Sequence, residues 1–229
     1  LPILGYHRVG KIFGDHVPSV SVETFSRQLE FLKRNRYQVL DLSEVAQLFD
    51  QDKPLPRAST VITFDDGYVE TWTIAWPILK QFGFPATVFI TPAEVGLEGF
   101  MTWDQILAAA NQGLTVGCHT MNHSFLPLVP EDRLEHELVE SKHIIEERIN
   151  KRVDLLSYPI GGFTQAAQRV ATQAGYRLAC TTNRRSFISS IDRFAVRRVK
   201  ITEKDRNFLS LRAKLSGYYD AFRQLRDPA

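Results

Sequence analysis

Only two of the 229 residues are cysteines, Cys118 and Cys180, too few for a disulfide framework. Both lie in apolar, strand-like runs and read as buried free thiols. Charge of one sign is also missing: 28 basic against 26 acidic residues leave a formal +2. That balance gives no reason to expect nucleic acid or an anionic membrane as a partner. The short basic pairs Arg184-Arg185 and Arg197-Arg198 read first as solvated surface. No apolar run is long enough to span a bilayer, and no internal repeat, low-complexity tract or phosphate-cradling glycine loop is present. No signal peptide is expected within the stretch that begins at Leu1. The chain opens at Leu1 rather than Met, however, so residues upstream are expected to have been removed and the missing signal is silent on compartment.

What is present is alternation. Short apolar runs at 2–7, 37–40, 60–64, 86–90, 114–119, 155–158, 176–181 and 195–201 are separated by helical patterns. Ser21 is placed to cap a first helix carrying Val22, Phe25, Leu29 and Leu32 on one face, and Ser43 to cap a second ending at Phe49. Further helices are expected over 71–82 with a kink at Pro77 and a stop at Gly83, then over 103–111, 130–150 and 165–174, and from about Arg206. The stretch 130–150 reads as the longest of them. Seven or eight strands alternating with helices imply parallel βαβ units. His7, Asp65, Asp66, His119 and the Tyr158-Pro159 corner all fall at C-terminal ends of different strands. A barrel gathers such ends into one pocket, whereas an open sheet would spread them along a line. The expectation is one domain over 1–229, an irregular (β/α)7-8 barrel with its active site at the strand C-termini.

The chemistry is concentrated in two segments. Thr63-Phe64-Asp65-Asp66-Gly67-Tyr68 sets adjacent carboxylates where a β-branched run meets a glycine. His119-Thr120-Met121-Asn122-His123 follows another strand. One aspartate and two histidines can bind a divalent metal with positions left open, and the second aspartate is then free to act as a base. Asp-Gly also marks turns, and a lone histidine is commonly structural. His136 and His143, seven apart on a charged helix, read as surface; His16 lies in a loop without a role. A glycosidase using the two carboxylates is disfavoured, because neighbours in sequence can hardly flank a glycosidic bond at a separation of roughly 5 Å or more.

These segments carry a resemblance. The chain resembles the polysaccharide deacetylases, carbohydrate esterase family 4 with the NodB homology domain. Their T-F-D-D-G motif stands at Thr63–Gly67, their H-[ST]-x-x-H motif at His119–His123, and their R-x-P-[YF]-G motif in part at Ser157-Tyr158-Pro159-Ile160-Gly161. The opening Tyr6-His7-Arg8 resembles the branch acting on poly-N-acetylglucosamine.

The resemblance implies a hydrolase that removes N-acetyl groups. Asp65 would be the general base; Asp66, His119 and His123 would be the ligands of one divalent ion, zinc above nickel or cobalt; and the Ile160 N–H would hold the oxyanion. The motif arginine is replaced by Ser157, and Arg198 is the candidate substitute. No histidine follows His143 to match the family's late Leu-His motif, which directs attention to His7 as the general acid. Tyr68, Trp103 and Tyr158 are the aromatic candidates for substrate contact, chosen from a set that includes Trp72, Phe100, Phe125 and Phe163. The expected partner is an acetylated amino-sugar polymer, and the expected location is the cell envelope, periplasm or exterior. Deacetylation of peptidoglycan, chitin oligomers or a lipid-linked sugar stands as the alternative. From another class comes a carbohydrate-binding domain with a decayed site.

Overall fold

A computed structural model describes residues 1–11, 17–182 and 192–216. The expectations for His16 and for Arg184-Arg185 lie outside the described residues. Among those described, no helix is long and apolar enough to cross a membrane.

The described residues form ten strands: β1 (Ile3–Tyr6), β2 (Arg8–Val9), β3 (Ser19–Val20), β4 (Gln38–Leu40), β5 (Ser59–Phe64), β6 (Thr87–Ile90), β7 (Thr115–Cys118), β8 (Leu155–Ser157), β9 (Leu178–Thr181) and β10 (Val196–Lys200). Neighbours pair in parallel from β5 through β6, β7, β8 and β9 to β10, and β1 closes the ring by pairing with both β10 and β5. The result is a seven-stranded parallel barrel. The eighth strand of the sheet, β4, pairs with the first half of β5, from Gln38 opposite Ser59 to Leu40 opposite Val61. The small β2–β3 pair is an addition that periodicity did not foresee, being two residues long in each strand.

Strand alternation divides the core in two. Ile62, Phe64, Val88, Val116 and Leu156 belong to the larger cluster, which packs the barrel against its helices. Ile3, Val61, Phe89, Leu155, Leu178 and Cys180 belong to the second cluster and fill the barrel itself. Gly117 is glycine for room: a Cβ there would stand 2.6 Å from the Phe89 ring.

Helices α1 (Val22–Arg34), α2 (Leu42–Asp50), α3 (Trp76–Phe82), α4 (Trp103–Asn111), α5 (Ser141–Ile149), α6 (Gln165–Gln173) and α7 (Phe208–Leu215) complete the described residues. Ser21 caps α1 as expected, its hydroxyl accepting the Thr24 N–H. The cap of α2 is Asp41 rather than Ser43: its carboxylate accepts both the Ser43 N–H and the Ser43 hydroxyl. The stretch 130–150 is not one long helix. It runs through a 3-10 turn at Glu131–Arg133 and a π turn at His136–Glu140 before α5 begins, so α1 is the longest regular helix described. The apolar stripe survives, with Leu134, Leu138, Ile145 and Ile149 all buried. A second π turn, Thr71–Ala75, leads into α3, and Pro77 falls in the first turn of that helix, where its missing N–H costs nothing. Both π turns stand between a strand's C-terminal loop and the helix that returns from it, a placement common near functional sites.

Candidate metal centre and active site

The strand ends converge as the barrel requires. β5 stops at Phe64, and the Asp65 N–H donates to the Tyr6 carbonyl at 2.9 Å. The turn then begins at Asp66 itself, whose φ is 70°, and continues through Gly67 at 75°. Aspartate tolerates the left-handed region better than most residues, so the motif's second carboxylate also serves as a turn residue. Adjacent carboxylates that a regular strand would send to opposite faces therefore both serve the same end of the barrel.

Arg198 is not surface. It is 3% exposed, points into the barrel from β10, and grips Asp65 with two bonds of 2.7 Å, one to each carboxylate oxygen. Its two terminal nitrogens also donate to Thr63 Oγ1 at 3.0 Å and Ser157 Oγ at 2.7 Å. Ser157, on β8, thus does not leave a gap: its small hydroxyl accepts the guanidinium that reaches across from two strands away. Burial alone would raise the Asp65 carboxyl, but the Arg198 charge opposes it and holds the group below the usual carboxylate range. The adjacent Arg197 is half-buried, as alternation along β10 demands.

Asp66, His119 and His123 form the one Asp/Glu/His/Cys cluster with metal-binding spacing among the described residues, their ligand atoms all within 4.8 Å of one another. His119 is 2% exposed, and its Nδ1 lies 2.7 Å from the Ser157 carbonyl. A carbonyl only accepts, so Nδ1 carries the proton and Nε2 presents a lone pair. That Nε2 faces Asp66 Oδ1 at 3.4 Å, and His123 Nε2 faces the same oxygen at 3.3 Å. Asp66 Oδ1 is buried and has no hydrogen-bond partner among the described residues. Lone pairs converging on an unpartnered carboxylate oxygen are repulsive unless a cation stands among them. The donor set fits a divalent ion of the borderline class that takes imidazole and carboxylate together. Burial by itself would raise Asp66, yet where the imidazoles carry protons toward it they hold it well below the usual carboxylate range and Asp66 raises His123 in turn; a cation would take the place of those protons.

Backbone strain gathers here. Of eight non-glycine residues with positive φ among those described, Asp66, Thr120 (64°), His123 (55°) and Ile160 (58°) belong to the three strand-end loops of the site. Thr120 and Ile160 are β-branched, for which this region is a true outlier, and each such residue costs on the order of 1–3 kcal/mol. Ile160 is 73% exposed, so its side chain contributes no packing.

His7 follows β1, and its Nε2 lies 3.9 Å from Asp65 Oδ2. Its Nδ1 is buried without a partner among the described residues. Burial pushes His7 down, and the charges of Asp65 and Asp66 only partly restore it. Tyr68 stacks on Phe100 at 4.9 Å between centroids and has the Arg8 guanidinium 4.5 Å from its ring centre, while Arg8 pairs with Glu70 at 2.5 Å. Burial, with Asp66 nearby, raises the Tyr68 phenol to about 12, so it stays a proton donor at neutral pH.

The other two aromatic candidates are corrected. Tyr158 is 1% exposed and stacked on Phe163 at 4.8 Å, a core residue rather than a groove wall. Trp103 opens α4, packs against the helix-side core and lies 5.7 Å from the Arg148 guanidinium of α5, which puts it in the outer layer. Both were chosen for aromaticity near a strand end, a signal that does not say which way a ring faces. Cys118 turns away from His119, its sulfur 3.1 Å from Ser141 Oγ. Two carboxylates near the site went unread in the sequence. Glu94, half-buried after β6, is raised by burial and by the Asp66 charge. Glu137 is buried against the loop that carries His123.

The Polysaccharide deacetylase family matches residues 52–179. Bacillus subtilis YxkH is 28% identical over 202 residues, 88% of this chain and 71% of that protein. The poly-beta-1,6-N-acetyl-D-glucosamine N-deacetylase of Staphylococcus aureus is 26% identical over 199 residues, 81% of this chain and 68% of its own length. The structure of the Streptococcus pyogenes deacetylase PplD in complex with acetate superposes with a TM-score of 0.85 at 23% identity, covering 94% of this chain and 97% of that one. The matched span runs from the loop before β5 to the middle of β9 and includes both aspartates and both histidines, so the chain belongs to the polysaccharide deacetylase family.

Proposed function

We propose that this chain is a metal-dependent N-deacetylase acting on a glycan rich in N-acetylglucosamine, of the poly-N-acetylglucosamine kind. The observation that carries the reading is the pairing of two differently held carboxylates: Asp66 unpartnered between two imidazoles, and Asp65 clamped in its ionised form by Arg198. The name of the Staphylococcus aureus relative supports the substrate class. Among glycans, the reading favours a linear amino-sugar polymer of the cell envelope or exterior over peptidoglycan, chitin oligomers or a lipid-linked sugar.

Asp66, His119 and His123 would hold the ion, zinc above nickel or cobalt. The chemistry such an ion supplies when bound is acidification of a water and polarisation of the acetyl carbonyl. The chain's own groups do the rest. Asp65, ionised because Arg198 opposes the effect of burial, takes a proton from the attacking water. The Ile160 peptide N–H stabilises the oxyanion, a role that depends on the backbone and tolerates the exposed side chain. His7, within 3.9 Å of Asp65, passes a proton to the leaving nitrogen; at rest it is neutral, and the proton that Asp65 collects charges it during turnover.

Acetate release from N-acetylglucosamine oligomers tests the whole reading. A pentamer should be a better substrate than the monosaccharide, because remote sugars supply binding energy. Equal efficiency on both would point to a small or lipid-linked substrate. Glycan binding with neither metal nor acetate release would make the chain a binding domain. For the ion, His123→Ala should lose most of the metal that the parent retains through dialysis, and full retention by the variant would remove His123 from the ligand set.

The role of His7 has its own test. His7→Ala should keep metal content and melting temperature while losing about 10²–10⁴-fold in rate on an acetamide, the usual worth of general acid catalysis. An aryl acetate, whose leaving group needs little protonation, should be hydrolysed at nearly the parental rate. Equal losses on the two substrates, or none on either, would mean that His7 is not the acid.

A further inference from the structure

Glu137 lies on the π turn His136–Glu140, in a stretch whose helical pattern and charge read as solvated surface. It is instead 5% exposed. Its Oε2 accepts the backbone N–H groups of Met121 at 3.0 Å and Asn122 at 3.1 Å. Its Oε1 accepts the Asn122 side-chain amide at 2.9 Å and the Ser124 hydroxyl at 2.8 Å. All four donors belong to residues within two positions of His123, and none belongs to Asp66, His119 or His123. Burial would raise this carboxyl, but the donors converging on it hold it below its ordinary value, so it is ionised at neutral pH.

The loop it binds needs such a support. Thr120 and His123 both sit in the left-handed region, and residues held there persist only where the surroundings over-determine them. The π turn is what brings the acid to the loop, and the turn is itself fastened: the Ser141 hydroxyl donates to the Glu137 carbonyl at 2.6 Å, and the Tyr176 hydroxyl to the Leu138 carbonyl at 2.8 Å. His119 has a different second partner, the Ser157 carbonyl, so the two imidazoles are oriented by separate devices.

We propose that Glu137 is the positioning residue of the metal centre, fixing the 119–124 loop so that the His123 imidazole is held toward Asp66 before an ion arrives. The proposal rests on the reading of Asp66, His119 and His123 as ligands. Partners that orient metal ligands typically carry about 10–100-fold in affinity. Losing Glu137 leaves the two imidazoles and Asp66 chemically intact but frees the loop to leave its strained conformation.

The test uses the whole chain stripped of metal and titrated with zinc alone against a chromophoric chelator, with cobalt absorption as a second readout. Glu137→Ala should weaken zinc about 10–100-fold and shift or diminish the cobalt d–d bands. Glu137→Gln, which retains one acceptor oxygen, should fall between Ala and the parent and decides the matter if the Ala variant does not fold. Tyr176→Phe removes a bond to the same turn without touching the loop. It should lower the melting temperature and leave zinc affinity within about twofold, since a lost neutral bond away from the ligands weakens stability rather than the site. A parent that binds zinc, together with Glu137 variants that bind it equally well, overturns the proposal and leaves the metal reading standing. A parent that binds no zinc overturns both.

Discussion

Asp65→Asn should leave the metal in place and abolish most deacetylation, with a loss of about 10²–10⁴-fold expected for a general base. The two carboxylates are neighbours in sequence but not equivalents. Asp66 lies among the imidazoles with an unpartnered oxygen, while both oxygens of Asp65 are bound to Arg198. Asn preserves the shape of Asp65 but cannot take up a proton. Metal content should therefore match the parent, whereas Asp66→Asn should lose metal and activity together. The Asn variant also leaves a buried guanidinium with no opposing charge, so rates must be read well below its own melting temperature. A rate within a few-fold of the parent would make Asp65 a structural counter-ion for Arg198 and nothing more.

How far the site could be read ahead of the structure depended on the kind of residue. Asp65, Asp66, His119 and His123 were legible because each is a polar residue at a strand end, and a parallel barrel brings strand ends together whatever the register. Arg198 was legible only as a candidate. The pair Arg197-Arg198 must send one side chain in and one out, but which goes in is set by the pairing of β10 with β1, where Ile3 stands opposite Arg198. No local pattern reveals that register. Ser157 looked like a defect against the family motif and is instead the acceptor that Arg198 requires.

Other features were hidden by local ambiguity. The stripe Leu134, Leu138, Ile145, Ile149 fits an α-helix and also fits a helix interrupted by one wide turn. Only the wide turn carries Glu137 under the loop, so its acidic neighbours made it look like solvated surface. His136 did behave as a surface group, half-buried and bonded to Glu140 at 2.7 Å, and His143 is exposed. The aromatics failed for a related reason: a ring is equally at home in a core and under a sugar. Tyr158 went to the core, Trp103 to the helix layer, and Tyr68 stayed beside Asp66.

Arg198→Ala should cost about 3–5 kcal/mol in stability, because it leaves a buried carboxylate without its counter-charge. The side chain makes four hydrogen bonds, to Thr63, to both oxygens of Asp65 and to Ser157, so Arg198→Lys, a point charge without the planar fork, should recover only part of the loss. The effect depends on pH in a defined direction. In the parent, Asp65 titrates below its ordinary value of 3.8, so the pair contributes stability above that pH and loses it as pH falls through the lower folded value. In the variant, burial is opposed only by the nearby His119 and His7, the carboxyl rises, and its ionised form destabilises the fold at neutral pH. The gap between parent and variant in metal-free protein should therefore be widest near neutrality and narrow steadily toward acid. The same inversion reaches the kinetics. The base must be ionised to act, so the acid limb of the rate profile should move to higher pH in Arg198→Ala, with zinc content unchanged. Denaturant melts across pH 3–8 and a pH–rate profile on one acetylated oligomer measure the two effects. A gap that does not vary with pH, or an acid limb that does not move, would mean that Arg198 packs the top of the barrel without governing the charge of Asp65.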